Sequence, residues 1–218
     1  MEIPAVFARH RDSAITLSEV HFRRTIPVTC GPVHPLSDIA GKLDHEERKP
    51  LVVVDMNSLA QRYFCEKIMK HLRVRGAYLW MMSYIETADD LFDAFNGNAE
   101  CMISPYHASL SDADLMDILD VSDSFIPAVY AVSGMGVRRK GRRAEIEDIL
   151  GELRDMGFYR TCVVDTDMSV SEEKWRYIAE EHPSAMPFPV RGRIEIPGVE
   201  FADSIVPVSF SADPSRTS

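Results

Sequence analysis

The sequence has no Cys-x-x-Cys pair, no long apolar run, no excess of basic charge and no glycine in the turn after its first strand. Each absence removes a class of protein. The four cysteines, Cys30, Cys65, Cys101 and Cys162, are scattered over 218 residues. Without paired spacing they read as reduced cytoplasmic thiols rather than a disulfide framework. Cys30 and His34 have a metal-like spacing but no second pair to complete a tetrahedral site. Cys101 and Cys162 fall inside apolar runs and read as small core residues. No window approaches the roughly 20 apolar residues that cross a bilayer. The chain also reaches Pro4 and Arg9-His10-Arg11 before any long apolar stretch, so neither a membrane span nor a signal peptide is expected. The net charge of -10 argues against a nucleic-acid or anionic-membrane surface. One local basic run, Arg138-Arg139-Lys140 with Arg142-Arg143, reads as a solvated loop leading into a helix, with an anion site as the alternative.

What is present suits a globular protein with a sizeable core: 45% of residues are hydrophobic and 27% charged. The chain also repeats itself. Ile3-Pro4-Ala5-Val6-Phe7-Ala8 returns as Ile126-Pro127-Ala128-Val129-Tyr130-Ala131, and Leu51-Val52-Val53-Val54-Asp55 returns as Thr161-Cys162-Val163-Val164-Asp165. Short apolar runs bounded by polar residues read as parallel strands buried on both faces. Counting them gives eight: 3–7, 51–55, 77–82, 100–104, 125–132, 161–165, 186–190 and 204–208, with a second extended piece at 14–20. Pro27, Gly31, Pro32 and Pro35 argue against regular structure between that piece and a helix carrying Leu36, Ile39, Ala40 and Leu43. Further helices are expected after caps at Ser58, Thr87, Ser111 and Ser171, the first running through Leu72 to Gly76, and another over 144–153 closed by Gly157. The expectation is a single α/β domain over 1–210, a (β/α)8 TIM barrel of two half-barrels, about 1–122 and 123–210. A doubly wound sheet is the runner-up, weakened because 7–12 lacks the glycine-rich turn. Residues 211–218 have too few apolar positions for a final helix, so the tail is expected to be disordered and strand eight to be open to a homo-oligomer or protein partner.

On the pieces Ile3-Pro4-Ala5-Val6, Val53-Val54-Asp55-Met56-Asn57, Ile126-Pro127-Ala128-Val129 and Val163-Val164-Asp165-Thr166-Asp167, the chain resembles the histidine-biosynthesis barrels over nearly its whole length. These are ProFAR isomerase and the cyclase subunit of imidazole glycerol phosphate synthase, and the nearer likeness is to their divergent, isomerase-related branch. The resemblance implies a half-barrel repeat and a catalytic aspartate at the ends of strands one and five. Here those positions carry Phe7 and Tyr130. Phenylalanine transfers no proton, and a phenol near its usual pKa of about 10 is a poor base at neutral pH. Glycine turns that would cradle two phosphates are replaced by Ser83-Tyr84-Ile85-Glu86 and Ser104-Pro105-Tyr106, and only Arg191-Gly192-Arg193 keeps a glycine with cations beside it.

Barrel chemistry gathers at C-terminal strand ends. Asp55 and Asp165 are therefore the candidate catalytic pair, sharing acid and base roles, or holding a divalent metal with Asn57 and Asp167. Holding loop N–H groups is the competing role for such aspartates, and no metal and no cofactor is the reading adopted. Asn57, Ser83, Ser104, Asp167, Arg191, Gly192 and Arg193 are the candidate ligand contacts, and His107 reads as a solvated loop residue. Phe7, Trp80, Met81 and Tyr130 are expected to fill the mouth of the barrel. Two functions follow: an altered reaction on a small metabolite, phosphorylated or not, or a non-catalytic barrel for ligand sensing or assembly. An open polar pocket joining Asp55, Asp165 and Arg191 would favour the enzyme; a mouth packed shut would favour the second.

Overall fold

A computed structural model describes residues 1–37, 50–72, 78–107 and 110–210. The fold is mixed α/β and is built on one curled sheet. Eight of its strands run parallel: β1 (Glu2–Arg11), β4 (Pro50–Asp55), β5 (Tyr78–Met82), β6 (Cys101–Pro105), β7 (Phe125–Val132), β10 (Thr161–Asp165), β11 (Ala185–Pro189) and β12 (Ser204–Pro207). Their spatial order is β12-β1-β4-β5-β6-β7-β10-β11. β11 and β12 lie side by side, without a hydrogen-bonded ladder between them. Antiparallel additions follow the first strand of each half. β2 (Ala14–Arg23) and β3 (Ile26–Pro35) extend β1, while β8 (Met135–Val137) and β9 (Arg143–Ala144) extend β7.

Side-chain alternation sorts each parallel strand into two layers. Phe7, Val52, Val54, Met82, Ile103, Tyr130, Val164 and Phe188 share the concave interior of the sheet. Leu51, Val53, Met81, Val129 and Val163 face outward, where they meet Leu91, Leu115, Ile118, Ile149, Leu153 and Ile178 of the covering helices. Among the described residues there are six α-helices: α1 (Met56–Gln61), α2 (Lys67–His71), α3 (Ala88–Asn96), α4 (Asp112–Val121), α5 (Ile146–Met156) and α6 (Glu172–Glu181). Thr87 and Ser111 each close a capping box, Ser171 caps α6, and Gly157 ends α5 at φ +108°. No helix links β11 to β12. Irregular chain covers that side, with Ile196 buried and Phe201 set edge-on to Trp175 at 5.9 Å.

The sequence repeat is also a repeat of register. Ala5, Phe7 and Ala8 stand opposite Val52, Val54 and Asp55; Ala128, Tyr130 and Ala131 stand opposite Cys162, Val164 and Asp165. Three expectations need correction. Residues 26–35 form a strand despite their prolines, because β3 ends the sheet path and an edge strand tolerates missing N–H groups. The helix expected from Ser58 onward starts at an Asp55 cap and breaks at Arg62, whose left-handed backbone (φ 60°) returns its N–H to the Ser58 carbonyl. The stretch around Gly134, Gly136 and Gly141, expected to be loose, holds β8 and β9. The helix expected around Ile39 to Leu43, the stop at Gly76 and the tail 211–218 lie outside the described residues.

Candidate functional site

At the C-terminal ends of the parallel strands the interior is closed by aromatic rings. Phe7 stacks on Phe188 with centroids 6.0 Å apart and meets Phe22 of β2 edge-on at 6.4 Å. Phe22 reaches across to Tyr130 at 5.8 Å. Phe7 is 3% exposed and Tyr130 1%. β2 continues the antiparallel turn out of β1 and so lays Phe22 over the mouth. Burial drives the Tyr130 phenol well above its ordinary range, and its hydroxyl has no hydrogen-bond partner among the described residues, so it is no base at neutral pH. Trp80 and Met81 do not join this plug. Trp80 lies under the Arg160 guanidinium at 5.4 Å, just before β10 begins, and Met81 faces the helices.

Asp55 and Asp165 are both 1% exposed, but alternation turns them toward the helical layer, and β5, β6 and β7 separate their strands. Asp55 Oδ1 accepts the Ser58 N–H at 2.9 Å. Asp165 accepts the N–H groups of Ser169 at 3.0 Å and Val170 at 3.3 Å. Two positions beyond each aspartate a second side chain pins the hairpin of its own half. Asn57 Oδ1 accepts the His10 N–H at 2.8 Å and its Nδ2 donates to the His10 carbonyl at 3.2 Å. Asp167 Oδ2 accepts the Ser133 N–H at 2.8 Å and Asp167 Oδ1 accepts the Ser169 hydroxyl. Ser83 and Ser104 are buried in the same fashion. Ser83 donates to Ser58 Oγ at 2.8 Å, and Ser104 Oγ accepts the Ile85 N–H at 3.0 Å. Desolvation pushes the Asp55 carboxyl up to about 6 against the opposing backbone bonds, and it raises Asp165 by the same cause. A polar cleft of about 110 Å³ adjoins Asp55, with His10, Asn57, Tyr63 and Lys67 in its lining.

Arg191 and Gly192 lie elsewhere, in a cavity of about 480 Å³ between the ends of β11 and β12 and the β2–β3 hairpin. Phe7, Val20, Val190, Pro207 and Val208 give it apolar walls; Glu19, Cys30, Arg191 and Ser209 are its polar groups. The Ser209 hydroxyl donates to Glu19 Oε1 at 3.4 Å. Gly192 is left-handed (φ +68°), and nothing stands within 4 Å of where its Cβ would be, so its backbone is open to a ligand. Arg193 is not in this lining; it pairs with Glu2 at 3.1 Å. Arg191, Asp55 and Asp165 therefore do not converge. Sequence reasoning missed Glu19 and Cys30, because the residue order gives no sign that the hairpin folds back over strand seven. Among the described residues no group of three acidic, histidine or cysteine side chains is placed to hold a metal, and no helix is long and apolar enough to cross a membrane.

No protein-family model matches this chain, and no curated protein matches it either.

Proposed function

We propose that the chain is a (β/α)8-type barrel that binds a small anionic metabolite at its rim and has given up the acid–base chemistry implied by the histidine-biosynthesis resemblance. One observation carries this reading: at the two positions where that chemistry needs carboxylates, Phe7 and Tyr130 are packed into a closed aromatic plug. The ligand site is the cavity at β11 and β12. Arg191 offers a planar guanidinium to a phosphate or carboxylate, and Glu19 accepts from a hydroxyl or ammonium, so a phosphosugar-like molecule with both groups fits the lining. Its volume, about 480 Å³, lies within the range of small-molecule pockets. A second reading keeps a changed reaction, and Asp55 favours it: a carboxyl at about 6 beside a polar cleft is suited to proton transfer near neutrality.

A ligand that binds only the folded state raises the melting temperature by mass action. Wild type and Arg191→Ala should be melted against a panel of phosphosugars and nucleotides. The rim reading expects a rise with one class of compound that is lost in Arg191→Ala. A rise kept by Arg191→Ala but lost in Asp55→Asn would move the site to the Asp55 cleft.

A further inference from the structure

A second cavity, of about 340 Å³, shares no lining residue with the first. Its charged residues are Arg24 from the β2–β3 turn, Arg62 at the end of α1, Lys140 from the β8–β9 connection and Arg143 of β9; no aspartate or glutamate lines it. The local basic run thus divides by role. Arg138 makes a two-pronged pair with Glu152 at 2.6 and 2.7 Å, and Arg139 pairs with Asp112 at 2.8 Å and lies over Tyr106. Lys140 and Arg143 line the cavity, where Arg143 donates to the Val132 carbonyl at 3.4 Å. Among the described residues none of the four cavity cations pairs with a carboxylate.

One further feature points to a ligand. His107 lines the same cavity with its ring 4.9 Å from Tyr130, and its buried Nδ1 has no hydrogen-bond partner among the described residues. Burial, reinforced by Arg62, holds this imidazole down to about 4, so it adds a neutral polar group at pH 7. Three of the cations stand at turns. Arg24, Arg62 and Lys140 all have φ of 60°, a left-handed conformation in which glycine would be relaxed, and all three carry a long cationic side chain instead.

We propose that this cavity is an anion site for a small, multiply charged phosphate compound, either free inorganic phosphate or pyrophosphate or the phosphate group of an ester. The four cations are exposed, and three guanidinium forks with one ammonium, brought together from three turns, suit the oxygens of a tetrahedral, multiply charged phosphate. The cavity is too small for a polymer, and the net charge of -10 opposes one. This cavity is separate from the one that holds Arg191.

The left-handed positions supply a test that protects the fold. Arg24→Gly/Lys140→Gly removes two charges while relaxing two strained residues, so its melting temperature without ligand should not fall. Titration calorimetry of the full chain with pyrophosphate should show binding that weakens with salt and is about tenfold or more weaker in the double variant. Arg191→Ala removes the cation of the other cavity, and the binding component that the double variant weakens should persist in it. Inorganic pyrophosphate binding more tightly than ribose 5-phosphate would name the free anion as the occupant, and the reverse order the ester. Absence of binding to any of these probes at millimolar concentration, or equal affinity in wild type and the double variant, would overturn the proposal.

Discussion

Ser58 shows how the strand-end residues are used. Its hydroxyl donates to the Tyr63 carbonyl at 2.7 Å and accepts from Ser83 at 2.8 Å and from the Tyr84 N–H at 2.9 Å. Ser58→Ala leaves a buried N–H and a buried hydroxyl unsatisfied, which costs about 1–3 kcal/mol each when unrelieved. Chemical denaturation should show a loss of that order, and an unchanged midpoint would contradict the role. Asp55 gives a pH signature. Its folded value, about 6, lies above the ordinary 3.8, so the folded protein holds this proton more tightly than the unfolded chain does. The resulting stability is fully present below the unfolded value and is lost as pH rises through about 6. Asp55→Asn keeps an oxygen for the Ser58 N–H but cannot ionise. Relative to the variant, wild type should lose on the order of 3 kcal/mol between about pH 4 and pH 7. Parallel stability curves for the two would show that the carboxyl is not the group responsible.

At the scale of elements, the two halves reuse one device. A strand (β1 or β7) turns into an antiparallel hairpin, the neighbouring strand ends in an aspartate that holds the next loop, and the residue two places on pins the hairpin. Much of this was legible. Residues 125–132 and 161–165 read as strands because every residue in them is buried, and the runs of β-branched residues announce that directly. Thr87, Ser111, Ser171 and Gly157 were readable as caps because their chemistry is local. β3 was not, because proline is forbidden in a sheet interior and permitted at an edge, and residue order alone does not show which strand is the edge. The outward orientation of Asp55 and Asp165 was available from alternation, since Val54 and Val164 before them share the interior with Phe7 and Tyr130. The grouping of Arg24, Arg62 and Arg143 was not, because it depends on how three separate turns meet. Gly157 offers a test of element boundaries. At φ +108°, and with a Cβ that would stand 3.0 Å from the Leu119 side chain, Gly157→Ala should destabilise by roughly 1 kcal/mol or more, read as a lower melting temperature. No change would mean that α5 does not rely on this stop.

For the molecule as a whole, the interior is filled and the two larger polar cavities lie at the rim. Phe7, Phe22, Tyr130 and Phe188 occupy the axis, the strand-end aspartates serve the loops, and the two larger rim cavities collect Arg191 on one arc and four cations on another. The most direct test of this account is a crystal structure of the protein with the compound that gives the largest Arg191-dependent rise in melting temperature. The account predicts the anionic group of that compound against Arg191 and the Gly192 backbone, with Phe7 still stacked on Phe188. A ligand seated on the axis, with Phe7 or Tyr130 swung aside, would contradict it.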